Sequence, residues 1–390
     1  MSQLLESRWS ETKDALLEGL QGNKRTVMAT TLENTRTYLN ESATAGATSA
    51  GNVATLNRVI LPVIRRVMPT VIANELVGVQ PMTGPVGQIH TLRVRYADAF
   101  NSASGTDTTA GDEALSPFKI AEGYSGATND KAASTAALEG VAGNRLSIQI
   151  LKQTVEAKTR KLSARWTFEA AQDAQAQQGI DIEAEVMAAL AQEITAEIDQ
   201  EVIQSLKTLA GTAALTYDQG AVSGTATFVG DEHAALAVQI NRVANLIAQR
   251  TRRGAGNYAV VSPTVLTLLQ SATTSAFART TEGTFEAPTN TKFVGTLNSA
   301  MRVYVNGYAT DDDVLIGYKG SSESDAPAFY CPYIPLMSSG VVLDPGTFEP
   351  VVSFMTRYGY VELTNTASSL GNAADYLGKV AVTSANLRFA

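Results

Sequence analysis

The run Asp181-Ile182-Glu183-Ala184-Glu185-Val186-Met187-Ala188-Ala189-Leu190, continued by Ala191-Gln192-Glu193-Ile194-Thr195-Ala196-Glu197-Ile198-Asp199-Gln200-Glu201-Val202, sets the scale of the fold. Apolar residues recur at Ile182, Val186, Leu190, Ile194, Ile198, Val202 and Leu206, a four-residue step that draws one slowly drifting stripe along a helix. Asp181 stands where an N-cap is needed. The acids Asp181, Glu183, Glu185, Glu193, Glu197, Asp199 and Glu201 all precede the first base, Lys207, an order that complements the helix dipole. A helix of about 26 residues spans roughly 39 Å at 1.5 Å per residue, enough to brace a domain.

Upstream, Gln88 to Tyr96 alternates Ile89, Thr91, Arg93 and Arg95 against His90, Leu92, Val94 and Tyr96, the two-residue period of a strand. A second strand pattern returns at Leu146-Ser147-Ile148-Gln149-Ile150. The roughly fifty residues between them, rich in Ser, Thr, Ala, Gly and Asp, are too polar for a core and too long for a turn, so a protruding two-stranded loop is expected. From Leu56 to Val77 apolar residues crowd at three- and four-residue steps, and Pro62 and Pro69 can each open a helical turn. Two short helices ending at Gly78 are expected there, with Arg65 and Arg66 on the polar side.

Downstream, Leu236 to Ile247 and Pro263 to Gln270 have helical patterns, and Tyr258–Val261, Met301–Val305 and Val314–Tyr318 are strand-like. Residues 1–53 alternate short helical patterns with the small-residue tract Ser42-Ala43-Thr44-Ala45-Gly46-Ala47-Thr48-Ser49-Ala50-Gly51, which packs little and bends easily and suits an extended arm.

Four segments, in order, resemble the major capsid proteins of T-even-type myophages. The most specific is Thr154-Val155-Glu156-Ala157-Lys158-Thr159-Arg160-Lys161-Leu162, followed by Trp166-Thr167-Phe168-Glu169, Gln172–Ala176 and Ile194–Ile198. The others are Ile64–Pro69 through Gly78–Met82 to Gly87–Ile89, then Gly254–Tyr258, then Gly317–Gly320 with Tyr330-Cys331-Pro332-Tyr333 and Phe354–Gly359. The resemblance implies an α+β chain with the HK97-like major capsid fold. It divides into an N-terminal arm (1–53), peripheral-domain helices (54–87), an extended loop (88–150), the peripheral domain with its spine helix (151–212), an axial domain (213–345), and peripheral strands with a C-terminal segment (346–390). The resemblance fades past Glu362. The extended loop of that family carries a sizeable inserted domain, for which fifty residues leave little room.

Composition agrees with a shell subunit. With 390 residues, 44% hydrophobic and 17% charged, the chain can bury a large core over more than one domain. Its longest apolar runs fall well short of the roughly 18 residues of a membrane span, and its first twenty residues do not read as a secretory signal, so assembly in the host cytoplasm is expected. The net charge of −8 opposes a grip on nucleic acid, whose nonspecific affinity comes from Lys and Arg on phosphates.

Chemistry is not indicated. His90 and His233 have no zinc spacing, and the single cysteine, Cys331, builds neither a disulfide framework nor a thiolate site. No nucleophile elbow or phosphate loop occurs. Asp311-Asp312-Asp313 lacks the spaced ligands of a calcium loop and reads as a solvated turn, and Arg252-Arg253 before Gly254 reads as a helix C-terminus. No catalytic, cofactor or metal residue is expected, and no cofactor.

The resemblance implies hexamers and pentamers of the chain tiling an icosahedral shell around double-stranded DNA. Neighbouring capsomers, portal, scaffold and cement or vertex proteins are its partners, and the alternative on the same fold is an encapsulin-like compartment. The arm and loop are expected to reach onto neighbours, so loss of residues 1–53 is expected to impair assembly and leave a soluble subunit. Related prohead proteases cut after Glu in Leu/Ile-x-Glu before a small residue. Leu39-Asn40-Glu41-Ser42 fits with Glu41 and Ser42 at the cut, although retention of the arm is expected. Arg65 and Arg66 are candidates for charge contacts between subunits.

Overall fold

The structure is a computed structural model. It describes residues 20–44, 72–99, 109–111, 135–139, 143, 145–178, 181–222, 229–251, 253–272, 277–279, 292–298, 300–323, 325–363 and 373–383, with Trp9, Lys13, Asp14, Leu16 and Leu17. The chain forms two compact units. The first takes Met1–Gly87, Thr154–Ile203 and Phe329–Val361, the second Gln88–Gln153, Gln204–Ala328 and Glu362–Ala390.

In the first unit, the strand Pro350–Glu362 is central: it pairs antiparallel with Lys158–Arg165, from Val351 opposite Arg165 to Tyr358 opposite Lys158. Its inward set Val352, Phe354, Thr356 and Tyr358 is buried, the two-residue period of a sheet with one face on a core. The strand Ala328–Ser338 follows in the same sheet and carries Gly78–Val79 in parallel register, Gly78 opposite Phe329. The expected helical end at Gly78 is therefore corrected. A helix covers Ala73–Leu76, Val77 caps it by donating to the Ala73 carbonyl, and Gly78 already belongs to the sheet.

The N-terminal region also departs from expectation. A helix spans Gly22–Thr44, and Leu16, Leu17, Val27, Met28 and Leu32 are buried within this same unit. Asn34 donates to the carbonyls of Met82 (2.6 Å) and Tyr333 (3.0 Å), and Lys24 pairs with Glu75 at 2.8 Å. The described residues from Leu16 to Asn34 therefore pack on their own subunit. A truncation of residues 1–53 would remove these buried side chains and uncover the surface they pack on, so it is expected to destabilise the remaining subunit as well as to impair assembly.

In the second unit a seven-stranded sheet runs in the order Leu215–Tyr217, Leu377–Val382, Val314–Gly317, Tyr258–Val261, Met301–Val305, Lys292–Leu297 and Phe277–Arg279. The helix Val229–Thr251 buries Leu236, Ile240, Val243 and Ile247 in the core of this unit, with Val261, Val303, Ile316 and Val380. Ser262 caps the next helix, Pro263–Ser271, accepting from the Val265 amide at 3.2 Å with proline at the first position. Two domain boundaries differ from expectation. Leu377–Val382 lies between two strands of this second sheet, and Ala328–Ser338 lies in the sheet of the first unit.

Gly317 shows why this sheet closes tightly. A Cβ there would fall 2.2 Å from the ring of Tyr258, its antiparallel partner, and Tyr258 is itself buried. Gly317→Ala is expected to cost about 1–3 kcal/mol, the usual range for overpacking a filled core. Thermal unfolding of the purified subunit checks it, and an unchanged midpoint would contradict the packing account.

Candidate assembly interface

The candidate site starts on the long helix, which runs from Ile182 to Ala210 over 29 residues. Asp181 caps it, accepting from the amides of Glu183 (3.1 Å) and Ala184 (3.5 Å). The apolar stripe is buried from Leu190 through Ile194, Ile198 and Val202 to Leu206, while Ile182 and Val186 are half-buried. The helix continues past Leu206, and Lys207 in its last turn is itself buried and pairs with Asp311.

A clamp joins this helix to the first unit's sheet. Arg160, on the strand Lys158–Arg165, bonds Glu197 and Glu201, one helical turn apart, and its Nε donates to the Tyr358 hydroxyl across the strand pair. Tyr358 in turn donates to Glu201. Burial works against the charge of Arg160, but the hydrogen bonds to Glu201 and Tyr358 outweigh it and raise its pKa. Burial likewise opposes the charge of Glu201, yet hydrogen bonds from Tyr358 and Arg160 leave its pKa below the ordinary carboxylate range.

Asp199, two residues away on the helix, has the opposite setting. It is 2% exposed and accepts from the Ile72 amide at 2.8 Å, at the start of the helix Ala73–Leu76. Burial pushes its pKa up to about 7, against the lowering effect of that hydrogen bond.

The expected two-stranded loop is present, as Val86–Tyr96 paired with Leu146–Glu156. Asp98 and Arg145 fasten the described end of the pair: the Arg145 amide and side chain both bond the Asp98 carboxylate, at 2.8 and 2.9 Å. Along the returning strand Leu146, Ile148 and Ile150 share one face and are 59%, 69% and 66% exposed. Among the described residues of the same subunit, none buries this aliphatic row.

The remaining sequence candidates resolve into structural roles. Asp311, Asp312 and Asp313 lie at a bend with Asp311 exposed, as a solvated turn would, but they also bind Lys207, the Ser262 hydroxyl (2.7 Å) and Lys379 (3.1 Å), tying three elements of the second unit. Their partners lie far away in the sequence, at residues 207, 262 and 379, and so lay beyond local reading. Cys331 is buried and its thiol is pushed up to about 12 by burial, which leaves it a small hydrophobe. His233 is buried with Nδ1 2.5 Å from the Ser271 hydroxyl, and His90 is exposed on its strand. Glu41 and Ser42 fall in the last turn of the helix Gly22–Thr44, whereas Arg65 and Arg66 lie outside the described residues. Among the described residues no His, Cys, Asp and Glu cluster could hold a metal, and no helix is long and apolar enough to cross a membrane.

The family model for the major capsid protein Gp23 matches residues 53–382. The chain belongs to the Gp23 major capsid protein family. The major capsid protein of Vibrio phage KVP40 is 30% identical, with 85% of this chain and 81% of that one covered. That of Enterobacteria phage T4 is 32% identical, with 81% of this chain and 76% of the T4 protein covered. A weaker likeness is to the solved capsid of Myoviridae phage XM1, at a TM-score of 0.43 and 10% identity over 80% of this chain and 92% of that one. The Gp23 match runs past Glu362 to Val382, the last residue of the strand inserted in the second unit's sheet, so the similarity does not end where the sequence reading placed its limit. As a Gp23-family protein the chain is a tailed-phage major capsid protein, a structural component of the virion capsid and not an enzyme. The α+β organisation with a long central helix and a two-stranded loop is the one expected for the HK97-like capsid fold.

Proposed function

We propose that this subunit assembles as hexamers and pentamers into an icosahedral head shell around the double-stranded DNA of a tailed phage, in the host cytoplasm and with portal, scaffold and cement or vertex proteins as further partners. The first unit then serves as the peripheral domain and the second, apart from the loop, as the axial domain that meets its copies at the capsomer centre. The exposed row Leu146, Ile148 and Ile150 carries the reading, because three aliphatic side chains on one strand face stay in water only until another chain covers them. In a shell that chain is a neighbouring copy. Many such modest contacts, each repeated around the shell, sum to a stable particle.

The purified chain is expected to form shells visible by negative-stain microscopy, and Ile148→Asp with Ile150→Asp to leave folded, slowly sedimenting subunits. Wild-type-like shells from the double variant would remove the loop from the proposal. The charge of −8 supports enclosure without adhesion: the protein is expected to retain no duplex DNA on a filter at physiological salt. Salt-dependent retention would overturn that part.

A further inference from the structure

The second unit holds a buried imidazole whose two nitrogens meet different surroundings. His233 is 4% exposed and stands near the start of the helix Val229–Thr251. Its Nδ1 lies 2.5 Å from the hydroxyl of Ser271, the last residue of the helix Pro263–Ser271, so the ring joins the start of one helix to the end of the other. Its Nε2 is buried and has no hydrogen-bond partner among the described residues. Native interiors leave few polar atoms in that state, because each costs free energy.

The serine fixes where the ring proton sits. Ser271 Oγ lies 3.0 Å from the Leu268 carbonyl, one of the last four carbonyls of its helix and so in need of a donor. A hydroxyl has one proton and a carbonyl can only accept, so that proton goes to Leu268. The lone pair of Ser271 then accepts from His233, which places the imidazole proton on Nδ1. Nε2 is therefore the basic nitrogen, an acceptor turned to the interior without a donor.

A proton bound there meets little to balance it. Among the described residues Glu232 is the one charge that acts on the ring, but it is the adjacent residue on the helix and its carboxylate is engaged by the Gln219 amide at 2.7 Å. Asp231 is exposed. The helices Gln219–Val222 and Pro263–Ser271 bring no charged side chain, and Leu215–Tyr217 brings only the Tyr217 hydroxyl, which donates to the Glu232 carbonyl at 3.0 Å. Further along the helix, around Val243 and Ile247, Leu377–Val382 brings Lys379, paired with Asp313 at 3.1 Å, and Ala373–Tyr376 brings Asp375. Burial accordingly lowers the pKa of His233 below 6.5, outweighing the opposite effect of Glu232.

We propose that His233 is an acid-released joint: a proton taken up from solvent at Nε2 draws the ring out of its site, breaks its bond to Ser271 and frees the end of the helix Pro263–Ser271. The start of the helix Val229–Thr251 stays in place, because its bonds to Tyr217 and Gln219 do not involve the imidazole. The unfolded or withdrawn ring takes its proton near pH 6.5 and the docked ring only at lower pH, so the joint is closed above that value and opens as pH falls below it. All of these groups lie in the second unit, so the joint is testable in the free subunit.

The chain has two histidines, and His90 is exposed, so ring-nitrogen NMR of the full-length unassembled subunit carrying His90→Gln reads His233 alone. At pH 7.5 the proton is expected on Nδ1, with a titration midpoint below 6.5. A proton on Nε2 at pH 7.5, or a midpoint at or above 6.5, would overturn the joint. Hydrogen exchange read by mass spectrometry is the second arm. After correction for the intrinsic rate, exchange of the amides in residues 266–271 is expected to rise severalfold between pH 7 and pH 5, while that of residues 231–235 and of Tyr258–Val261 stays level. His233→Asn keeps an N–H for Ser271 and cannot titrate, so it is expected to abolish the rise. An equal rise in that variant, or none in the wild-type chain, would contradict the proposal.

Discussion

Replacing Arg160 by leucine is expected to destabilise the isolated subunit by about 2–4 kcal/mol, more than any other single change to the long helix's surroundings. The guanidinium is the one group that reaches Glu197, Glu201 and the Tyr358 hydroxyl together. Leucine keeps only part of the aliphatic stem and would leave Glu201 and the buried Tyr358 with only each other, which is why the effect exceeds that of an ordinary surface pair. Glu197 is 57% exposed, so its share is small, and the range is set below that of a fully buried ion pair. Arg160→Lys keeps the charge but not the planar fork and is expected to recover less than half of the loss. Urea unfolding with a double-mutant cycle between Arg160→Leu and Tyr358→Phe measures the coupling; a coupling near zero would mean the clamp is ornamental. The pH dependence has a definite sign. The folded pKa of Glu201 lies below its unfolded value, so its stabilisation is complete above the unfolded value and is lost as pH falls through the folded one.

The long helix was readable because its signals are local: a four-residue apolar step, a capping Asp181 and a first base only in the last turn. The clamp on it was not, although Arg160 stands in the most specific string of the sequence. An arginine in a strand declares its charge but not its partners, which here lie 37, 41 and 198 residues away. The pair Glu197 and Glu201, four residues apart on the polar side of the helix, was the available hint that one cation spans a turn. The same limit explains the C-terminal strand. Leu377–Val382 is plainly apolar, yet its neighbours are Leu215–Tyr217 and Val314–Gly317, and nothing in its own residues selects that sheet. The N-terminal helix misled for another reason. The small-residue tract after Glu41 dominated the reading of residues 1–53, while the buried set Val27, Met28 and Leu32 lay upstream of it.

Asp199 is the more telling case, because its burial was legible. It falls on the same side as Thr195, Ile198, Val202 and Leu206, which are all buried, so an acid occupies a core position of the helix. Its folded pKa of about 7 lies above the ordinary 3.8, so between those values the folded state holds a proton that the unfolded chain has released. Stability from this group therefore falls as pH rises through that window and levels off above about pH 7. A tenfold difference in proton affinity between the two states is worth roughly 1.4 kcal/mol, so the upper bound is about 4 kcal/mol, a large fraction of the stability of an ordinary domain. Asp199→Asn keeps an oxygen for the Ile72 amide and has no charge to bury, so it is expected to be more stable than wild type at pH 8, by a margin that shrinks steadily toward pH 5. Asp199→Ala loses the acceptor, leaves the buried amide unpaired, and is expected to lose about 1–3 kcal/mol at pH 5. His233 titrates in the other direction: burial lowers its pKa, so its contribution is lost as pH falls. Comparing Asp199→Asn with wild type at each pH cancels that background. Urea unfolding of unassembled subunits at pH 5, 6, 7 and 8 gives the answer, and parallel curves for the two proteins would show that Asp199 is not the group that titrates. If the curves diverge as expected, the helix at the centre of the first unit carries two acids with opposed pH responses, Glu201 failing in acid and Asp199 opposing the fold near neutrality. Together these two groups then favour the fold most in the mildly acidic range between them.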